Sequence, residues 1–124
     1  MDHDIVLFGA TGFTGKLVAE YLASHPSRTS FSWAIAGRSS EKLVALQSSL
    51  AGAASEIIVA DTADKPSIDA MVSKARVVIT TAGPYGEYGG GVVVETCARQ
   101  GRHYVRIPGQ GDHHSEVKVI RIPG

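Results

Sequence analysis

Asp4-Ile5-Val6-Leu7-Phe8-Gly9-Ala10-Thr11-Gly12-Phe13-Thr14-Gly15-Lys16-Leu17 runs from an unbroken apolar segment, through regularly spaced glycines, into a segment of helical periodicity. The run up to Phe8, closed by Gly9, is what a strand buried on both faces requires. From Thr14 to Ser24 the apolar residues Leu17, Val18, Tyr21 and Leu22 fall on one helical face, and Pro26 stands just past its end. Each glycine has a separate expected use. Gly9 permits the tight turn, Gly12 keeps side-chain atoms away from an approaching pyrophosphate, and Gly15 lets helix and strand pack closely. Amides at the helix start then face the phosphates, assisted by the helix dipole. Gly9, Thr11, Gly12, Phe13, Thr14 and Gly15 are the candidate contacts for a dinucleotide. The alternative is a glycine-rich turn with no ligand. A P-loop is excluded, since that pattern needs glycine at position 10 and Ser or Thr at 17, where Ala10 and Leu17 stand.

Outward from this turn, strand-like and helix-like segments alternate. Ser32–Ala36 reads as a second strand. Ser39–Leu50 reads as a helix with Leu43, Leu46 and Leu50 on one face, stopped by Gly52. Glu56–Ala60 is a third strand. Pro66 opens a helix carrying Ile68, Met71, Val72 and Ala75. Arg76–Thr81 is a fourth strand, Gly91–Gln100 a helix closed by Gly101, and His103–Ile107 a short fifth strand. Such alternation predicts an α/β fold, a Rossmann-type doubly wound parallel sheet in the order 3-2-1-4-5, with a crevice between strands 1 and 4. The domain is expected over residues 1–107, with 108–124 as an irregular tail holding a strand within Val117–Ile122. A sheet ending at its fifth strand would leave that edge open and apolar surface beside it uncovered, which predicts self-association or poor solubility through the edge and the adjoining face.

An acid at the end of strand 2 usually accepts from the ribose of NAD. Here that end reads Ala36-Gly37-Arg38-Ser39-Ser40. Arg38 suits a 2′-phosphate, because its guanidinium is planar and always charged, and the serine hydroxyls add donors. The expectation is therefore NADP over NAD. The competing reading makes Arg38 a solvated loop residue and Ser39 a helix cap. Asp61, at the end of strand 3, is either beside the adenine or a loop acid. The loop after strand 4, with Ala82, Gly83, Pro84 and Tyr85, falls at the crevice. Tyr85 reads either as a wall of the cofactor site or as a packing aromatic.

The catalytic residues are not identifiable. Tyr-x-x-x-Lys, in which lysine assists tyrosine as proton donor, is absent: Tyr21, Tyr85, Tyr88 and Tyr104 are followed four residues on by His25, Gly89, Val92 and Pro108. Cys97 reads as a core residue, His103 as structural, and His113-His114 as solvated rather than metal-binding, so no metal is expected. A formal net charge of zero argues against a nucleic-acid or anionic-membrane footprint. The apolar run near the start lacks the basic flank and length of a signal peptide. A lone cysteine leaves no internal disulfide. The default location is intracellular and cytoplasmic.

Taken in order, Gly9 to Gly15, Trp33 to Ser39, Ala82-Gly83-Pro84-Tyr85, Tyr88-Gly89 and Cys97-x-x-x-Gly101-x-His103-Tyr104-Val105 resemble the N-terminal domain of saccharopine dehydrogenase-like oxidoreductases. That family includes trans-acting enoyl reductases of mycobacterial lipid synthesis. The resemblance covers roughly residues 3–105. It implies an NAD(P)-binding domain followed by a larger lobe that supplies substrate contacts and often dimerises, so a homo-oligomer and a lipid-related substrate are in view. It also implies that peripheral membrane or lipid-droplet association is compatible with this chain. Arg106-Ile107-Pro108-Gly109-Gln110 departs from the family's Asp-x-x-Gly-Glu-like continuation. That departure, with no second lobe in the sequence, suggests a truncated or alternatively terminated product. Hydride transfer would then need a second lobe. The alternatives are a non-catalytic NADP-sensing module and an inactive fragment.

Overall fold

The computed structural model describes residues 2–81, 90–107 and 118–120. In chain order the elements are β1 (His3–Phe8), α1 (Phe13–Ser24), a 3-10 turn (Arg28–Ser30), β2 (Trp33–Gly37), α2 (Ser40–Ser49), β3 (Glu56–Val59), α3 (Lys65–Ser73), β4 (Ala75–Thr80), α4 (Gly90–Gln100), β5 (His103–Arg106) and β6 (Lys118–Ile120). They form a sheet in the order β3-β2-β1-β4-β5-β6. The first five strands are parallel, in the predicted order 3-2-1-4-5, with Leu7 opposite both Ile35 and Ile79. The order reverses beside β1, which opens the crevice between β1 and β4 that a doubly wound sheet offers to a ligand.

Alternate residues of each central strand serve opposite faces, and both faces are apolar. Val6, Phe8, Ala34 and Ala36 join Ile68, Met71 and Val72 of α3 and Val93 and Cys97 of α4 in one buried cluster. Leu7, Trp33 and Ile35 join Ala19 and Leu22 of α1 and Leu43, Leu46 and Leu50 in the other. Burial on both faces is why the strands read as continuous apolar runs. The face expected for α2 is the one buried.

Three expectations need correction. On α1 the buried residues are Gly15, Ala19 and Leu22, while Leu17 and Tyr21 are 53% and 63% exposed. A Cβ on Gly15 would lie 2.0 Å from the Gly9 carbonyl oxygen, so the helix makes its close approach through Gly15 and Ala19, with Leu22 buried beside them and Leu17 and Tyr21 turned out. Tyr21 instead meets the His25 ring edge-on, with centroids 5.4 Å apart. Ala75, expected in the third helix, begins β4, because α3 ends at Ser73. The outer edge of β5 is not open. β6 pairs with it antiparallel, Val105 opposite Val119, so self-association through a bare fifth-strand edge loses its basis. This strand lies within the segment expected to hold one. Among the described residues, no helix is long and apolar enough to cross a membrane.

Candidate functional site

At the C-terminal end of β1 the chain turns sharply, with Gly9 at φ +84°, a conformation that a Cβ disfavours. The amides of Gly9 and Ala10 both donate to the Ala36 carbonyl at the end of β2, at 3.0 and 3.2 Å. The Gly12 amide donates back to the Gly9 carbonyl at 3.2 Å. Helix α1 then begins with Gly12 as its N-cap, no side chain capping it and no acid in its first turn. The first amides of a helix have no intrahelical acceptor. Those of Phe13, Thr14 and Gly15 therefore form a positive helix end suited to an anion.

The glycines differ in what demands them. At Gly15 an added Cβ would collide with backbone, 2.0 Å from the Gly9 oxygen and 2.8 Å from the Ala10 Cα. At Gly12 it would meet, among the described residues, the Gly9 oxygen alone, at an ordinary 3.5 Å, and φ is an unstrained −74°. Neither the backbone nor packing against the described residues requires glycine at position 12. The space beside it fits a group from outside the chain, and the bare amides fit phosphate oxygens.

Around this turn the sheet assembles other predicted residues. Phe8 lies opposite Ala36 and Thr80 in the ladder, and Gly37 opposite Val59, so the ends of four strands reach one edge. The Thr11 hydroxyl oxygen lies 3.9 Å from the position of a Cβ on Gly37. Arg38 follows β2 directly, is exposed, and makes no ion pair among the described residues. Ser39 caps α2, its hydroxyl accepting from the Lys42 amide at 3.3 Å. One acceptor lone pair is thereby engaged, and the hydroxyl proton stays available to a ligand. Asp61 accepts from the Ala63 amide at 3.0 Å, while its own amide donates to the Ser67 hydroxyl at 3.0 Å. These bonds brace the loop after β3. Ala82, Gly83, Pro84 and Tyr85 lie outside the described residues, as do His113 and His114.

Thr81, to which the sequence reading assigned no role, belongs to this edge. Its amide donates to the Phe8 carbonyl at 3.0 Å and its hydroxyl to the Gly9 carbonyl at 3.0 Å. Its position at the crevice was legible. The contact was not, because 72 residues separate the partners. Cys97 is fully buried in the core and lies away from this chemistry, its thiol pushed up to about 12 by desolvation. The other polar cluster, His3, Ser32, Glu56 and Lys74, sits at the opposite end of the strands.

The family model of the saccharopine dehydrogenase NADP binding domain matches residues 5–117. A trans-acting enoyl reductase of Mycobacterium leprae is 45% identical over 111 residues, covering 88% of this chain and 26% of the relative. A trans-acting enoyl reductase of Mycobacterium tuberculosis is 43% identical over the same length and shares. The chain thus spans about a quarter of the length of these curated relatives. Among solved structures, saccharopine dehydrogenase from Saccharomyces cerevisiae superposes with a TM-score of 0.68 at 22% identity, over 86% of this chain and 22% of that one. A Citrobacter sp. triphenylmethane reductase complexed with NADP(H) gives 0.65 at 22% identity, over 83% and 36%. With its Rossmann-type sheet and bare glycine turn, the chain belongs to the saccharopine dehydrogenase NADP-binding domain family, and NADP is its cofactor.

Proposed function

We propose that this chain is the cofactor-holding part of a reductase acting on an activated carbon–carbon double bond, as the names of its enoyl reductase relatives suggest. The observation that carries the proposal is Gly12, a glycine with room for a side chain at the open end of α1. The pyrophosphate is assigned to the amides of Phe13, Thr14 and Gly15, within the turn that Gly9, Thr11 and Gly12 shape. Arg38 takes the 2′-phosphate as a charge-assisted donor, and the Ser39 hydroxyl proton adds a second bond. Asp61 is assigned to the adenine end, and for Ala82, Gly83, Pro84 and Tyr85 the assignment to the nicotinamide end rests on their position in the sequence after β4 alone.

Bound NADPH supplies the hydride. The chain's own residues hold and orient the dinucleotide. Transfer further requires the acceptor within about 3–3.5 Å of the nicotinamide carbon in aligned geometry. No tyrosine–lysine pair of the short-chain type is encoded to deliver a proton. A second lobe is therefore proposed to supply substrate contacts and the proton, with a lipid-type acyl chain as the substrate class.

Calorimetric titration of wild type and Arg38→Asp with NADPH and NADH tests the cofactor assignment. Wild type should prefer NADPH. Arg38→Asp should weaken NADPH by about 1.5–3 kcal/mol, the worth of one charged hydrogen bond, and narrow the preference. Tighter binding of NADH by wild type would overturn the 2′-phosphate assignment. Assayed alone with an enoyl thioester, the chain should not oxidise NADPH, and steady turnover would overturn the need for a second lobe.

A further inference from the structure

Resting on the NADP(H) reading above, we infer that Thr81 is a positioning residue that sets the shape of the glycine turn from the far side of the crevice. A turn built of glycines has few side chains of its own to pack, so its shape depends on what its backbone is tied to. On the β2 side the tie is main chain, the Ala36 carbonyl accepting from both Gly9 and Ala10. On the β4 side it is a side chain. Thr81, the first residue past β4, donates its hydroxyl to Gly9 at 3.0 Å, and its amide to Phe8 at 3.0 Å. The Gly9 carbonyl thus accepts from the Thr81 hydroxyl and from the Gly12 amide, filling both lone pairs. The orientation of the Gly12 peptide, and of the helix start that follows it, is thereby referred to the end of β4.

The consequence is pre-organisation. A turn already held in its phosphate-accepting shape loses less freedom when the ligand arrives. Without the hydroxyl, the Gly9 carbonyl keeps only its local bond to Gly12, and the turn can rock away from β4 while the sheet below stays paired. The effect should fall on the part of the cofactor that lies over the turn. It should spare the part that lies over the end of β2.

The test uses two probes, NADPH and adenosine 2′-monophosphate, which carries the 2′-phosphate but no phosphate at the 5′ position where the pyrophosphate begins. Both are titrated calorimetrically into wild type, Thr81→Val and Thr81→Ser. Thr81→Val keeps the size of the side chain and removes the donor. It should weaken NADPH about five- to tenfold, the loss of roughly one hydrogen bond, and leave the 2′-monophosphate affinity unchanged. Thr81→Ser restores the donor and should bind both probes as wild type does. Should Thr81→Val fail to fold, Thr81→Ala is read by the same two titrations. Unchanged NADPH affinity in the variant lacking the hydroxyl overturns the inference, as does equal weakening of both probes, which a general loss of structure would produce. Failure of wild type to bind NADPH would instead overturn the cofactor reading on which the inference rests.

Discussion

A Cβ placed on Gly15 would lie 2.0 Å from the Gly9 carbonyl oxygen, whereas one on Gly12 would rest 3.5 Å from that same atom. Two glycines of one turn should therefore fail differently when replaced. Gly15→Ala forces backbone apart where β1 hands over to α1. It should cost at least the 1–3 kcal/mol typical of overpacking, measured by denaturant unfolding. Gly12→Val should leave the unfolding midpoint within about 0.5 kcal/mol of wild type, the range of a substitution that meets no packing conflict. It should nonetheless abolish NADPH binding, because its branched side chain fills the space proposed for the pyrophosphate. A Gly12→Val protein that still binds NADPH in calorimetry would remove this turn from the cofactor site. The spacing of the glycines was readable directly. Their division into one that the surrounding backbone demands and one that no described neighbour demands required coordinates.

The ends of two helices show how element boundaries are decided. Both α2 and α4 close with paired amide bonds to the last turn: Ala51 to Ser48 and Gly52 to Gln47 in one, Gly101 to Ala98 and Arg102 to Cys97 in the other. In α4 the left-handed position is filled by Gly101, at φ +71°. In α2 it is filled by Ala51, at φ +56°, with Gly52 one residue late. Left-handed geometry costs an alanine about 1–2 kcal/mol, partly offset because glycine loses more freedom on folding. Ala51→Gly should accordingly stabilise the fold by about 0.5–1 kcal/mol, seen as a raised unfolding midpoint with unchanged slope. A lowered midpoint would contradict the assignment.

At the other end of the strands, Glu56 binds His3 at 2.7 Å and Lys74 at 2.6 Å. The hydrogen bond from His3, then that from Lys74, holds the Glu56 carboxyl below its ordinary value of 4.5. A depressed carboxylate adds stability above its unfolded pKa, and that stability is lost as pH falls through the lower folded value. The Lys74 ammonium is raised by Glu56, so its share persists until pH climbs past the ordinary 10.5. Glu56→Gln should flatten the loss of stability below about pH 4.5, the ordinary carboxylate value, with little effect on NADPH affinity, since the cluster is a sheet's length from the turn. A side chain 36% exposed is screened by solvent, so the change should be modest. An unaltered acid limb of the stability profile would show that the cluster contributes nothing there.

A cofactor that binds only the folded chain stabilises it by mass action, about 2.7 kcal/mol at a hundredfold excess over Kd. For a chain of 124 residues that is a rise in Tm of several degrees, roughly 4 °C per kcal/mol. NADPH at saturating concentration should produce this shift in wild type and none in Gly12→Val. Equal shifts in both would mean that the dinucleotide binds elsewhere.

Alternation of apolar runs with helical periodicity, closed by glycines and Pro66, was enough to specify the parallel order 3-2-1-4-5 and the face that α2 buries. Those features follow from local propensity and from handedness rules that hold for any such chain. The glycine spacing and the missing acid after β2 pointed to NADP for the same reason, since both are chemistry carried within a few residues. Which side of α1 turns inward was decided only in three dimensions, by the steric demand at Gly15 rather than by the hydrophobicity of Leu17 and Tyr21. The cover of β5 by Lys118–Ile120 and the bond from Thr81 to Gly9 are likewise tertiary facts. They join residues far apart in the chain, and periodicity carries no information about which distant segment will be the neighbour.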